Sequence, residues 1–168
     1  MRNLEVKVKM EDRDSIVNLL KNMGADYSYT MKQVDYYFEV GESKSKLRVI
    51  DDQECQLIEY RRVEQQGRKD SSYEVTVLSP EEKDSLLQER EVKKVVEKTR
   101  ELWMYKHTRI HLDHVEHLGD YLELETVVKD ITPEEAENEF ATVVEGLQIN
   151  LAGSVAASYS DLIPDLAP

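Results

Sequence analysis

Two glutamates in Leu122-Glu123-Leu124-Glu125 are the residues of this sequence best suited to hold a metal ion. On a strand, which rises about 3.3 Å per residue and alternates its faces, Glu123 and Glu125 point the same way roughly 7 Å apart. Hard cations such as Mg²⁺ and Mn²⁺ take carboxylate oxygens and complete their shell with phosphate oxygens and water. Glu5 lies in a segment of the same kind, Asn3-Leu4-Glu5-Val6-Lys7-Val8-Lys9, where polar and apolar residues alternate. Cations recur on similar segments. Arg48, Arg100 and Arg109 offer guanidinium forks that match phosphate oxygens bidentately, and Lys7, Lys46 and Lys98 add point charges. Arg109-Ile110-His111-Leu112-Asp113 sets a cation, an imidazole and a carboxylate on one face. His111 could serve as a general acid or base near neutral pH, although a histidine on a polar strand face is more often a bystander. Asp35 and Tyr37 also share a face, while Tyr36 and Phe38 read as core. Each segment alone is equally an ordinary strand with its polar side in water.

The elements that must position these residues are mostly strands. Period-two alternation and Val, Ile, Tyr and Thr content predict strands near residues 2–10, 34–40, 46–51, 54–63, 72–78, 94–106, 107–115 and 119–129. The break between 106 and 107 carries no strong turn residue. Ile16, Leu19, Leu20 and Met23 at helical spacing, followed by Gly24, predict a helix over 12–23. Ser79-Pro80-Glu81-Glu82 and Thr132-Pro133-Glu134-Glu135 open two more helices with an N-cap and a proline at the first helical position. A short fourth helix is expected within 153–162. If the strands close on themselves, the charged faces converge on a polar interior. The predicted class is α+β, an antiparallel sheet or barrel whose apolar outer face is covered by helices. Gly67-Arg68-Lys69-Asp70 reads as a hairpin loop that could fold over a mouth of that barrel.

Composition narrows the function classes. The 168 residues suit one domain, 1–168, without linker or repeat. With 35 acidic against 22 basic side chains the formal charge is −13, which repels nucleic acid and anionic membranes and makes clustered cations more telling. No apolar run reaches the roughly 20 residues of a membrane helix, and no secretory signal opens the sequence, so a cytoplasmic location is expected. Cys55 is the only cysteine, which excludes an internal disulfide and a thiolate zinc cage. There is no glycine-rich phosphate loop, nucleophile elbow or His-Glu-x-x-His motif, so any phosphate must be bound by side-chain cations.

The ordered set of Asn3-Leu4-Glu5-Val6-Lys7, Asp35-Tyr36-Tyr37-Phe38, Lys46-Leu47-Arg48, Tyr73-Glu74, Lys98-Thr99-Arg100, Leu112-Asp113-His114-Val115 and Leu118-Gly119-Asp120-Tyr121-Leu122-Glu123-Leu124-Glu125 resembles the CYTH superfamily of triphosphate tunnel metalloenzymes. It is similar in particular to class IV adenylyl cyclases and thiamine triphosphatase. The resemblance implies an eight-stranded antiparallel β-barrel with helices packed on the outside, a tunnel binding a triphosphate-containing small molecule with one or two Mg²⁺ or Mn²⁺ ions. Carried over by residue, Glu5, Glu123 and Glu125 are the expected metal ligands with Asp113 as a helper. Lys7, Lys9, Lys46, Arg48, Tyr60, Lys98, Arg100 and Arg109 are the expected substrate contacts, and Glu5, Tyr37 and Arg62 the candidate catalytic residues. The expected activity is hydrolysis of a phosphoanhydride of inorganic triphosphate, a nucleoside triphosphate or thiamine triphosphate. Conversion of ATP to cyclic AMP and non-catalytic polyphosphate binding are the alternatives, and a homodimer is compatible with any of them. Two positions depart from the family pattern. Asn3 stands where a first glutamate is usual, and Tyr60 replaces a lysine that helps activate water, with Arg62 two residues on as its substitute.

Overall fold

The computed structural model describes residues 2–39, 43–65 and 68–163, without the side chains of 2, 39, 43–44, 60–65 and 68–72. Eight strands carry the fold: β1 (Arg2–Lys9), β2 (Asp26–Glu39), β3 (Ser43–Ile50), β4 (Glu54–Gln65), β5 (Arg68–Leu78), β6 (Lys94–Tyr105), β7 (Thr108–Val115) and β8 (Gly119–Val128). All pairings are antiparallel, and the order β1-β5-β4-β3-β2-β6-β7-β8 closes because β1 pairs with both β5 and β8. The α+β class expected from the alternation, and the eight-stranded antiparallel barrel that the resemblance implies, are the fold observed. The turn at 106–107 is made by Lys106, whose φ of 49° lies in the left-handed region, a conformation available without glycine at modest cost. The second strand is much longer than expected because Asp26–Gln33, polar and aromatic without clean alternation, continues pairing along β6.

Helices cover part of the outer face. In α1 (Arg13–Asn22) Asp12 caps the N-terminus by accepting from the Ser15 backbone N–H, and Gly24 at φ 84° ends the turn that follows. Ser79 and Glu82 form a capping box at α2 (Pro80–Glu89), and Thr132 caps α3 (Pro133–Gly146). Leu20 of α1 and Phe140, Val143 and Leu147 of the α3 region pack on the outward residues Leu4, Val6, Ile110, Leu112, Leu122 and Leu124. Leu86 and Leu87 of α2 cover Phe38, Leu47 and Cys55. The fourth expected helix resolves into a single 3₁₀ turn, Leu151–Gly153, and a four-residue α4 (Tyr159–Leu162). No helix among the described residues is long and apolar enough to cross a membrane. Where the outer face is apolar and covered, as on β1, β7 and β8, alternation turns the charged residues inward; on β5 and β6 the outward Glu74, Thr76, Glu97 and Thr99 are exposed.

Candidate active site

Strand register aligns the interior charges in rows around the barrel. One row runs Leu102, His111, Glu123 and Lys7 across β6, β7, β8 and β1; the next runs Met104, Arg109, Glu125 and Glu5. On the far wall Asp35 of β2 faces Arg48 of β3, and Tyr37 faces Lys46. Inside lies a cavity of about 400 Å³ whose lining includes Glu5, Lys7, Tyr37, Lys46, Arg48, Lys98, Arg100, Arg109, His111, Glu123 and Glu125. Eight strands leave an interior wide enough for one small ligand.

The β2–β3–β6 wall is organised by a single carboxylate. Asp35, fully buried, accepts from Arg48 Nε at 2.8 Å and Nη2 at 2.9 Å, and from Lys98 Nζ at 2.9 Å, with Lys46 Nζ 3.2 Å away. Burial alone would raise its pKa, but the charges of Arg48, Lys46 and Lys98 outweigh that and hold it well below the ordinary carboxylate range. The Lys98 amine is pushed down to about 8, chiefly by burial, with Asp35 opposing and Arg48 and Arg100 reinforcing the shift. Lys46 also lies within hydrogen-bond reach of the Tyr37 hydroxyl, at 3.3 Å.

The β7–β8–β1 wall is acidic. The candidate metal-ligating atoms of His111, Glu123 and Glu125 all lie within 4.8 Å of one another, and His111 Nδ1 sits 3.3 Å from Glu123 Oε1. Burial pushes the Glu123 carboxyl up, yet the His111 hydrogen bond and the charges of Arg100 and Lys7 keep it well below its usual range. Glu125 accepts from Asn3 Nδ2 and from Arg109 Nη2, both at Oε1. Asn3 is fully buried, and its Oδ1 has no hydrogen-bond partner among the described residues. Arg109 also donates to the Tyr73 hydroxyl at 3.0 Å.

The structure gathers most of the expected residues and relocates two. Lys9 has the inward parity, but it stands at the strand end opposite Tyr121, is exposed and does not line the cavity. Asp113 is not a metal-ligand candidate in this geometry, because both its oxygens are taken. Arg100 Nε and Nη2 each donate to it at 2.8 Å, and the Tyr159 hydroxyl adds a bond at 2.9 Å. Its role is to hold the Arg100 guanidinium. The side chains of Tyr60 and Arg62, and those of Arg68 and Lys69 in the expected hairpin loop, lie outside the described residues. Lys94 donates to the Ser160 carbonyl at 2.5 Å. Gln33, Gln56, Tyr73, Ser158 and Tyr159 line the cavity without having been expected there. Tyr159 comes from a segment with no strand periodicity, and its ring lies under Lys7 Nζ at 4.1 Å.

Comparison with known proteins agrees with this geometry. A Methanocaldococcus jannaschii protein provisionally named an adenylate cyclase is 26% identical over 96% of this chain and 98% of its own length. A Pyrococcus horikoshii structure superposes with a TM-score of 0.82 at 22% identity, covering 96% of this chain and 99% of its own. A Hippeastrum protein, provisionally named an adenylyl cyclase and having a dominant triphosphatase activity, superposes at 0.67 with 14% identity, covering 93% of this chain and 92% of its own. At these identities the two structural likenesses show the fold. The CYTH domain family matches residues 1–159, and the chain belongs to that family.

Proposed function

We propose that this protein is a metal-dependent enzyme that hydrolyses a phosphoanhydride of a triphosphate-containing small molecule. The carrying observation is the division of one buried cavity into a cationic wall and a wall bearing His111, Glu123 and Glu125. Members of the CYTH family are metal-dependent, and the residues present fit a divalent ion. Carboxylate oxygens cluster within coordination reach, and the buried Asn3 Oδ1 is an unmet acceptor beside Glu125.

Glu123 and Glu125, with Glu5 one strand away, would hold the ion, which when bound supplies Lewis-acid polarisation of phosphoryl oxygens. Arg48, Lys46 and Lys98 would grip the phosphate chain from the opposite wall, with Arg100 and Arg109 placed to neutralise charge developing on the leaving phosphate. Asp35 and Asp113 fix these cations in advance, so little reorganisation is needed during reaction. Tyr37 lies beside Lys46 on the lining and orients it.

Cyclisation of ATP is the second reading, and one observation favours it. Tyr29, Met31, Ile50, Val75 and Leu102 also line the cavity and offer apolar contact to a nucleoside. The test is incubation with ATP, tripolyphosphate and thiamine triphosphate in Mg²⁺ or Mn²⁺, resolving orthophosphate, pyrophosphate and cyclic AMP. Orthophosphate supports hydrolysis, cyclic AMP with pyrophosphate supports cyclisation, and no product from any substrate refutes an enzyme of either kind.

A further inference from the structure

We propose that His111 is itself a ligand of the divalent ion, so that the site is a mixed nitrogen and oxygen centre selecting Mn²⁺ over Mg²⁺. This rests on the reading that Glu123 and Glu125 hold a metal.

Geometry carries the assignment. Neighbouring ligands of an octahedral ion with bonds of about 2.1 Å lie about 3 Å apart, and opposite ones about 4.2 Å. The 3.3 Å from His111 Nδ1 to Glu123 Oε1 matches a neighbouring pair, and the 4.8 Å limit on the whole group exceeds an opposite pair by only a few tenths of an ångström. His111 is 5% exposed and lines the cavity, and its sole hydrogen-bond partner among the described residues is Glu123, the neighbouring ligand itself. Both hydrogen bonds to Glu125 fall on Oε1, leaving Oε2 for another partner.

An independent observation lies on β1. Asn3 is fully buried, its amide nitrogen is committed to Glu125, and the oxygen of the same amide is an unpartnered acceptor. Asn3 Oδ1 is thus a buried acceptor left unsatisfied beside Glu125, an arrangement that buried polar groups avoid unless something satisfies them.

The chemistry then sets the preference. Mg²⁺ binds oxygen and keeps its waters, whereas a first-row transition ion accepts imidazole nitrogen more readily, so of the two ions Mn²⁺ gains more from His111.

Electron paramagnetic resonance of Mn²⁺ bound to the whole protein, in a buffer without nitrogen, reads this directly. Electron spin-echo modulation from a coordinated ¹⁴N is expected, replaced by ¹⁵N modulation when the protein is labelled with ¹⁵N-histidine. The signal should vanish in His111→Gln, since the other three of the four histidines, His107, His114 and His117, are exposed. The same variant should bind Mn²⁺ at least about tenfold more weakly while its affinity for Mg²⁺ is little changed. Mn²⁺ that binds in a Glu125-dependent manner without histidine modulation in the wild-type protein overturns the role of His111 and leaves the carboxylate reading standing. Failure of the wild-type protein to bind Mn²⁺, or binding unaffected by Glu125→Ala, overturns both.

Discussion

On the β2–β3–β6 wall one buried carboxylate, Asp35, is surrounded by three cations; on the β7–β8–β1 wall three carboxylates, Glu5, Glu123 and Glu125, and a histidine stand together, reached by Lys7, Arg100 and Arg109. The first arrangement is largely self-satisfied and keeps net positive charge facing inward. The second leaves the buried Asn3 Oδ1 without a partner beside a group of His111, Glu123 and Glu125 that could hold a cation. A buried ion cluster that is complete acts mainly on stability and placement, whereas an incomplete one points to a ligand.

Substitutions should separate the walls accordingly. Asp35→Ala strands Lys46, Arg48 and Lys98 without their shared counter-charge, and should lower the unfolding free energy by roughly 3–5 kcal/mol in urea denaturation. Glu125→Ala should leave the fold intact by circular dichroism but reduce metal-dependent turnover more than about 100-fold, since partners outside the ligand shell are alone worth roughly 10–100-fold. An equal loss of stability in both variants would erase the distinction between the walls.

The pH dependence sharpens the contrast further. The Lys98 amine, pushed down to about 8, is charged below that pH and neutral above it. Affinity for tripolyphosphate should be greatest below about pH 8 and fall by up to about tenfold per pH unit above it, read by calorimetry. For folding the sign is opposite. The charged amine is disfavoured in the native state, so its cost is present below about 8 and is relieved as pH rises toward the ordinary value of 10.5. Lys98→Arg should flatten the affinity profile over this range. The smallest effect is expected for Asn3→Ala, which removes one hydrogen bond to Glu125 and should weaken Mn²⁺ binding up to about tenfold with the phosphate affinity of the opposite wall unchanged.

Much of this organisation was legible in the alternation. The parity of Glu5, Lys7, Lys98, Arg100, Glu123 and Glu125 states which face each occupies, and the apolar parity of Leu4, Val6, Leu122 and Leu124 states which face the helices must cover. Parity does not state depth along the barrel. Lys9 shares the face of Lys7 yet reaches the rim, and Asp113 shares the face of His111 yet ends locked to Arg100 and Tyr159. Nor does alternation reveal partners from elsewhere in the chain. Tyr159 enters from a short helix far beyond β8, and the neutralising role of Asp35 depends on β3 and β6 lying on either side of β2. His111 reads as a bystander until the register sets it opposite Glu123.

The closure of the barrel also has a kinetic side. Arg2 on β1 pairs with Val128 on β8, and β1 meets β5 through Ser71 and Ser72, so the two seams of this strand join segments far apart in sequence. Such non-local contacts make loop closure entropically expensive before any pairing rewards it, and barrels dominated by them refold over milliseconds to seconds. The hairpins β3–β4, β4–β5, β6–β7 and β7–β8 can form locally, but Glu5 and Asn3 cannot reach Glu125 until β1 docks. The group of His111, Glu123 and Glu125 can assemble on the β7–β8 hairpin, but full metal affinity should be reached only once β1 docks, after most of the strand signal has already appeared.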